Sequence, residues 1–258
     1  MVGQGLANMI GNAITGGGPS VGGGGAPFTN LYSTEYDGID DYIDCSNPSN
    51  LNFSADDAFS FSIWFKKASS GTVEVAFSKM IGSGSFNGYM MFFSGNLLYF
   101  RIRENGSNFH QIRDNDVHPL NTWVHYVVTY DGSRTGSGLG LNLYKDGTKL
   151  TNVTRSGNFP SGTGQSTADF DIGARSNGSV RYFDGLIDEF SVFNSELSQS
   201  DVTAIYNGGV PNNLNNLSTP PLSWWRFQEG SGIIASDSGS GGNNGTLVNG
   251  TTFSTDVP

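Results

Sequence analysis

Between Leu186 and Phe193 the residues Leu186, Asp188, Phe190 and Val192 alternate with Ile187, Glu189, Ser191 and Phe193. This period of two predicts a β-strand in a sheet with one face more apolar than the other. The alternation stops at Asn194 and Ser195, and a helical signature follows. Ser198 is placed to cap a helix over Gln199 to Tyr206, Asp201 falls in its first turn, and Leu197 can staple onto Val202. Gly208 and Gly209 then end the helix. Alternating apolar strands are also predicted over Tyr36 to Ile43, Phe59 to Lys66, Trp123 to Tyr130 and Leu143 to Lys145. The pairs Asp37-Gly38, Asp131-Gly132 and Asp146-Gly147 supply turns, their glycines reaching the positive φ that tight hairpins need.

Composition agrees with many short aromatic strands joined by turns: 258 residues hold 37 Gly, 18 Phe and 10 Tyr. An all-β chain of this length can bury its core as one domain. The net charge of −10, with no basic run beyond Lys66-Lys67 and the scattered Arg101, Arg103 and Arg113, argues against nucleic acid as a partner. A single cysteine, Cys45, forbids an internal disulfide and reads as a small buried thiol. Residues 1–27 place no Lys or Arg ahead of a short, weakly apolar stretch, which supports neither a standard secretion signal nor a membrane span. They read instead as a flexible arm, glycine-rich from Gly16 to Gly25, with Met9, Ile10 and Ile14 as an interaction handle.

The segment Phe183 to Gly209 resembles the closing motif of the laminin-G-like, concanavalin A-like jelly-roll family, in which a "G-x-I-D-E" strand precedes a short helix. Tyr36 to Ile43 (YDGIDDYI), Phe59 to Lys66 (FSFSIWFK), Trp123 to Gly132 (WVHYVVTYDG) and Leu143 to Gly147 (LYKDG) resemble the family's other landmarks, in the same order. The resemblance covers Tyr32 to Gly209 and implies a two-sheet antiparallel jelly-roll β-sandwich with one short helix, expected over residues 28–209. Trp224 to Gly232 and Asn243 to Gly250 resemble a family segment that usually precedes the opening strand. Here it follows the helix across a linker at 210–221. Residues 222–258 are therefore expected either to complete the same sheets or to pair with a neighbouring copy through an exposed Trp224-Trp225 pair.

Three chemistries follow from the resemblance. Glycoside hydrolases of this sandwich carry an "E-x-D-x-x-E" signature that is absent here, and the neighbours Asp188 and Glu189 are expected to point to opposite sheet faces, so no enzyme is expected. Asp37, Asp40, Asp41, Asp184 and Asp188 would supply oxygen ligands to a structural calcium ion, although aspartates beside glycine also read as plain turn residues; no cofactor is required. Carbohydrate binding is the third, with Tyr89, Phe109, His110, Arg175, Asn177, Arg181 and Tyr182 in or beside expected loops, and with Trp64 and Trp123 assigned to the core. The acidic chain, the glycine-rich arm and a fold used as a binding module suit a virion surface protein, a head decoration, fibre or tail component. Its partners would be copies of itself, other virion proteins and host-surface glycans. The alternative is a secreted or cell-surface, calcium-dependent lectin or adhesin.

Overall fold

The computed structural model describes residues 28–258 apart from 55, 72, 81–85, 104–107, 134–139, 158–165 and 176–179. The expected arm with Met9, Ile10 and Ile14, and the candidate Asn177, lie outside the described residues. Seventeen strands are described. In chain order they are β1 (Ser33–Asp37), β2 (Tyr42–Asp44), β3 (Phe59–Lys67), β4 (Val73–Met80), β5 (Gly88–Ser94), β6 (Leu97–Arg103), β7 (Phe109–Asp114), β8 (Val124–Tyr130) and β9 (Leu141–Lys145). There follow β10 (Thr148–Lys149), β11 (Val153–Gly157), β12 (Asp171–Ile172), β13 (Asp184–Phe193), the helix α1 (Gln199–Tyr206), β14 (Ser223–Trp225), β15 (Ile234–Ala235), β16 (Gly245–Val248) and β17 (Thr252–Ser254).

They form two antiparallel sheets, a jelly-roll sandwich. Sheet A runs β10-β9-β8-β3-β13-β1-β17, and sheet B runs β11-β7-β6-β5-β4-β12-β2-β16-β15. The core lies between them, where β3 supplies Phe59, Phe61, Ile63 and Phe65, β5 supplies Tyr89, Met91 and Phe93, and β6 supplies Leu98, Phe100 and Ile102. The C-terminal strands are shared between the layers: β14 pairs with the far half of β13, β16 with β2, and β17 with β1. Trp225 is buried, stacked at 5.5 Å on both Phe170 and Phe190, and its indole N–H donates to the Asn243 carbonyl at 2.8 Å. The expected exposed Trp pair is corrected: both rings pack within their own chain, because β14 occupies a place beside β13.

The helix forms as its capping residues dictate. Ser198 Oγ accepts the Asp201 N–H at 3.2 Å and Asp201 Oδ2 accepts the Ser198 N–H at 3.0 Å, a reciprocal capping box. Asn207 ends it in the left-handed region, one residue before the expected glycines. Val202 and Ile205 then seal the outer face of sheet A together with Val127, Tyr144, Phe193, Leu197, Leu214 and Trp224. Leu214 belongs to the 210–221 connection, which packs on the sheet.

Strand β13 departs from strict alternation. Its register against β3 shifts between Asp188 and Ser191, and Glu189 takes a φ of +46°. This is a β-bulge, one extra residue opposite β3. Ile187 and Phe190 both enter the core, so Asp188 and Glu189 lie together on the outer side of sheet A, where opposite faces were expected. Asp188 accepts the Asn30 side-chain N–H at 2.7 Å and the Glu189 N–H at 2.8 Å. Glu189 accepts the Trp224 indole N–H at 2.6 Å and pairs with Arg226 at 3.4 Å, while Arg226 donates to the Thr29 carbonyl at 2.6 Å. Burial and mutual repulsion raise the Asp188 carboxyl well above its ordinary range, and burial raises Glu189 from 4.5 to about 7.

A carboxyl raised in the folded state holds its proton there more tightly than in the unfolded chain, so its contribution is present at low pH and is lost as pH rises. Stability in urea is expected to fall between about pH 4.5 and 7, the two values for Glu189, and the fall should flatten in Glu189→Gln; an unchanged slope in the variant would assign the dependence to other groups. Trp225→Ala is expected to lower unfolding free energy by about 3–5 kcal/mol, the usual cost of deleting a buried aromatic side chain. A loss under about 1 kcal/mol in the same titration would show that the C-terminal strands add little to the sandwich.

Candidate functional site

At one rim of the sandwich, β1 ends in the turn Asp37 to Asp41 directly opposite the start of β13, with Asp37 and Asp184 as cross-strand partners. Gly38 has a φ of +75°, and a Cβ there would lie 2.9 Å from the Asp184 Cβ, so the turn needs glycine for both conformation and space. Beside it opens a cleft of about 270 Å³ lined by Asp37, Gly38, Ser69, Gly71, Val73, Glu74, Arg181, Tyr182 and Asp184. Glu74 on its wall is committed: its carboxylate accepts the buried Lys67 ammonium at 2.6 Å and the Gly71 N–H at 2.7 Å. The fold thus brings two expected metal ligands, Asp37 and Asp184, to the same cleft as two expected sugar contacts, Arg181 and Tyr182.

The carboxylates of Asp37, Asp40 and Asp41 offer oxygens that all lie within 4.8 Å of one another, a hard-donor set of the kind calcium takes. Much of it is used by the turn itself. Asp41 accepts the N–H groups of Asp37 at 3.0 Å and Gly250 at 2.6 Å, and Asp37 Oδ1 accepts those of Ile39 at 2.8 Å and Asp40 at 3.3 Å. Burial raises the Asp41 carboxyl above its ordinary value, which also disfavours the ionised form a cation needs. Asp40 and the second oxygen of Asp37 are the groups best placed to hold an ion. Asp188 is corrected: it is buried within sheet A and bound to Asn30, away from this turn.

The second feature is the outer face of sheet B over β6 and β7. Here strand alternation, which sends Phe100, Ile102 and Ile112 into the core, turns Tyr99, Arg101, Arg103, Phe109, Gln111 and Arg113 outward, all half-exposed. Across the strands Arg101 lies opposite Gln111 and Arg103 opposite Phe109. The Arg101 guanidinium sits between two rings, 5.0 Å from Phe92 and 4.9 Å from Phe109, and donates to the Gln111 side-chain oxygen at 2.9 and 2.6 Å. Arg103 lies 4.7 Å from the Phe86 ring, and Arg113 lies 5.8 Å from Tyr99. Among the described residues no helix lies on this face, whereas α1 and the 210–221 connection seal the other sheet.

Of the expected sugar contacts, Phe109 and Arg175 belong to this face and its margin, and Arg181 and Tyr182 to the adjoining cleft. Tyr89 and His110 are corrected. Both are inward-facing strand residues, 2% and 0% exposed, because Tyr89 alternates with outward Met90 and His110 with outward Phe109; the Tyr89 hydroxyl donates to the Leu51 carbonyl at 2.9 Å. Trp64, assigned to the core from sequence, is buried as expected, but on the outer side of sheet A, stacked 5.7 Å from Tyr206. Trp64, half-buried Trp123, Asp146 and Tyr206 line a cleft of about 280 Å³ there. Arg101, Arg103 and Arg113 were read only as scattered basic residues; the alternation of Arg101 and Arg103 with apolar Phe100 and Ile102, and of Arg113 with Ile112, is the signal that could have placed them on one face. Asp188 and Glu189, though now on one side, lie beneath Trp224 and Asn30 with a gap of only about 10 Å³ at Glu189, which leaves no room for a glycosidic bond between them.

Among solved structures the chain is similar to a candidate carbohydrate binding protein from Bacteroides ovatus, with a TM-score of 0.62 and 18% identity over 90% of this chain and 62% of that one. It therefore spans less than two thirds of that protein's length. It is also similar to the native heptameric SAP-like pentraxin from Limulus polyphemus (TM-score 0.54, 14% identity, 88% and 96% coverage) and to the botulinum neurotoxin serotype G binding domain (TM-score 0.51, 18% identity, 68% and 42% coverage). At these identities the likeness is one of fold. A search of curated proteins found no match. The sequence itself matches the family described as the concanavalin A-like lectin/glucanases superfamily over residues 37–203, most of the chain. The protein belongs to the concanavalin A-like lectin/glucanase superfamily.

Proposed function

We propose that the protein is a non-catalytic carbohydrate-binding module that holds glycan on the outer face of sheet B and in the adjoining rim cleft. The observation that carries this reading is the pairing of half-exposed aromatic and guanidinium side chains on one sheet face over which no helix lies among the described residues, Tyr99, Arg101, Phe109 and Arg113, beside a polar cleft. Aromatic rings offer flat apolar surfaces to the C–H faces of sugars, while Arg and Gln bond hydroxyls. The similar Bacteroides ovatus protein, described as a candidate carbohydrate binding protein, supports the same reading. Calcium has at most a structural place, at Asp37 and Asp40, because backbone N–H groups already occupy Asp41.

The setting we propose is a virion surface, with other virion proteins or further copies of the chain as partners; a secreted or cell-surface adhesin is the alternative. Its support is the net charge of −10 and the glycine-rich stretch Gly16 to Gly25. Among the described residues no helix is long and apolar enough to cross a membrane.

On a broad glycan array the protein is expected to retain a defined set of sugars and to release no product from them. Phe109→Ala should weaken that binding roughly tenfold, the loss of one stacked ring, and chelation should leave it intact. Retention of no glycan would refute the reading, and loss on chelation would move the site to the aspartate turn. For the setting, light scattering after size exclusion should find an oligomer that is lost when residues 1–27 are removed; identical monomers would favour the adhesin.

A further inference from the structure

Resting on that glycan-binding reading, we propose that the ligand is an acidic glycan, one whose sugars carry carboxylate or sulfate groups, bound at the cluster of Arg101, Arg103, Arg175 and Arg181. Geometry gathers these side chains from three parts of the chain. Arg101 and Arg103 share the Phe109 ring, at 4.9 and 5.9 Å, and Arg103 and Arg175 share the Phe86 ring, at 4.7 and 6.0 Å. Arg181 is exposed at the mouth of the rim cleft, one residue past the bridge that joins Arg175 to Val180.

In a chain with 13 basic and 23 acidic residues, such a concentration of guanidinium calls for a counter-charge. Among the described residues no ion pair joins Arg101, Arg175 or Arg181 to a carboxylate. The Arg101 hydrogen bonds go to the neutral Gln111, and among the described residues the buried Nε of Arg175 has no hydrogen-bond partner. Among the described residues, the cleft beside Arg181 holds the carboxylates of Asp37, Glu74 and Asp184; Glu74 is engaged by Lys67, and Asp37 in part by its own turn. Burial first, and then the neighbouring Arg103 and Arg181, lower the Arg101 pKa to about 10, and burial, Arg181 and Arg103 lower that of Arg175. Guanidinium groups are cationic at neutral pH, and those gathered here repel one another. An anion placed among them relieves that repulsion, and the forked guanidinium donates two parallel N–H bonds to a carboxylate or sulfate. The rings between the arginines leave sugar-sized apolar surface beside the charges, which suits a glycan better than an isolated small anion.

Calorimetric titration with polygalacturonate, dextran sulfate and neutral dextran, at low and high ionic strength, tests this. At least one acidic polymer should bind ten times or more tighter than dextran and weaken as salt rises, and which of the two it is distinguishes carboxylate from sulfate. Arg175→Gln and Arg181→Gln should each cost roughly tenfold, about one charge-assisted hydrogen bond. Arg181, exposed and outside the core, keeps the test valid if Arg175→Gln perturbs folding. Neutral sugars bound as tightly as acidic ones, or both variants unchanged, would overturn the charge inference and leave glycan binding standing. Retention of no glycan of either kind on the array would remove both.

Discussion

The buried carboxyls of Asp188 and Glu189 need hydrogen-bond donors, and the chain supplies them by bringing the segment before β1 and the segment at β14 together at the middle of sheet A. Asn30 comes from the segment before β1; Trp224 and Arg226 come from β14 and the residue after it. Gln228 then donates to the Asn30 side-chain oxygen at 2.7 Å, and Phe28 stacks on Trp224 at 6.1 Å, closing the circuit between the two segments. The bulge makes this possible. Without its extra residue one of the two acids would face the aromatic core among Phe61, Phe77 and Phe190, where a carboxyl has no donor comparable to these. The central strand, the placement of the C-terminal strands and the order of the N-terminal segment therefore rest on one local irregularity.

The asymmetry of the sandwich follows from it. Once Trp224 is drawn onto Glu189, the connection between α1 and β14 has to cross the outer face of sheet A, and Leu214 and the helix residues Val202 and Ile205 pack there. That face becomes a second apolar layer. Among the described residues no comparable layer lies over β6 and β7 of sheet B, and the outward positions there are half-exposed and polar or aromatic. The location of the candidate site is in this sense decided on the opposite side of the molecule.

Much of this was legible in the chain. The cap at Ser198, the Asp-Gly turns and the period-2 segments at Phe59 to Lys66, Trp123 to Tyr130 and Leu143 to Lys145 depend on neighbours in sequence, and the structure forms them where they were read; Tyr36 to Ile43 is instead the end of β1 and the start of β2 around the turn at Gly38. The bulge was not legible, because apolar residues stand in both registers of Leu186 to Phe193, and a shift by one residue leaves either reading amphipathic. The burial of Trp224 and Trp225 depends on partners some 35 positions earlier in β13, beyond any local pattern. Tyr89 was misplaced because β5, GYMMFFS, is apolar on both faces and carries no alternation from which to choose a side. The arginine cluster combines residues from β6 with others from the segment before β13, a proximity set by sheet order.

The C-terminal residues return to sheet A as well: Asp256 accepts the Lys66 ammonium at 2.5 Å and the Trp123 indole N–H at 2.8 Å, and Pro258 rests near Trp64 and Tyr206. Phe28 and Pro258, where the described chain enters and leaves, are thus both on the side of the sandwich opposite the guanidinium face. A tether fixed at either point would start from the side of the sandwich away from that face.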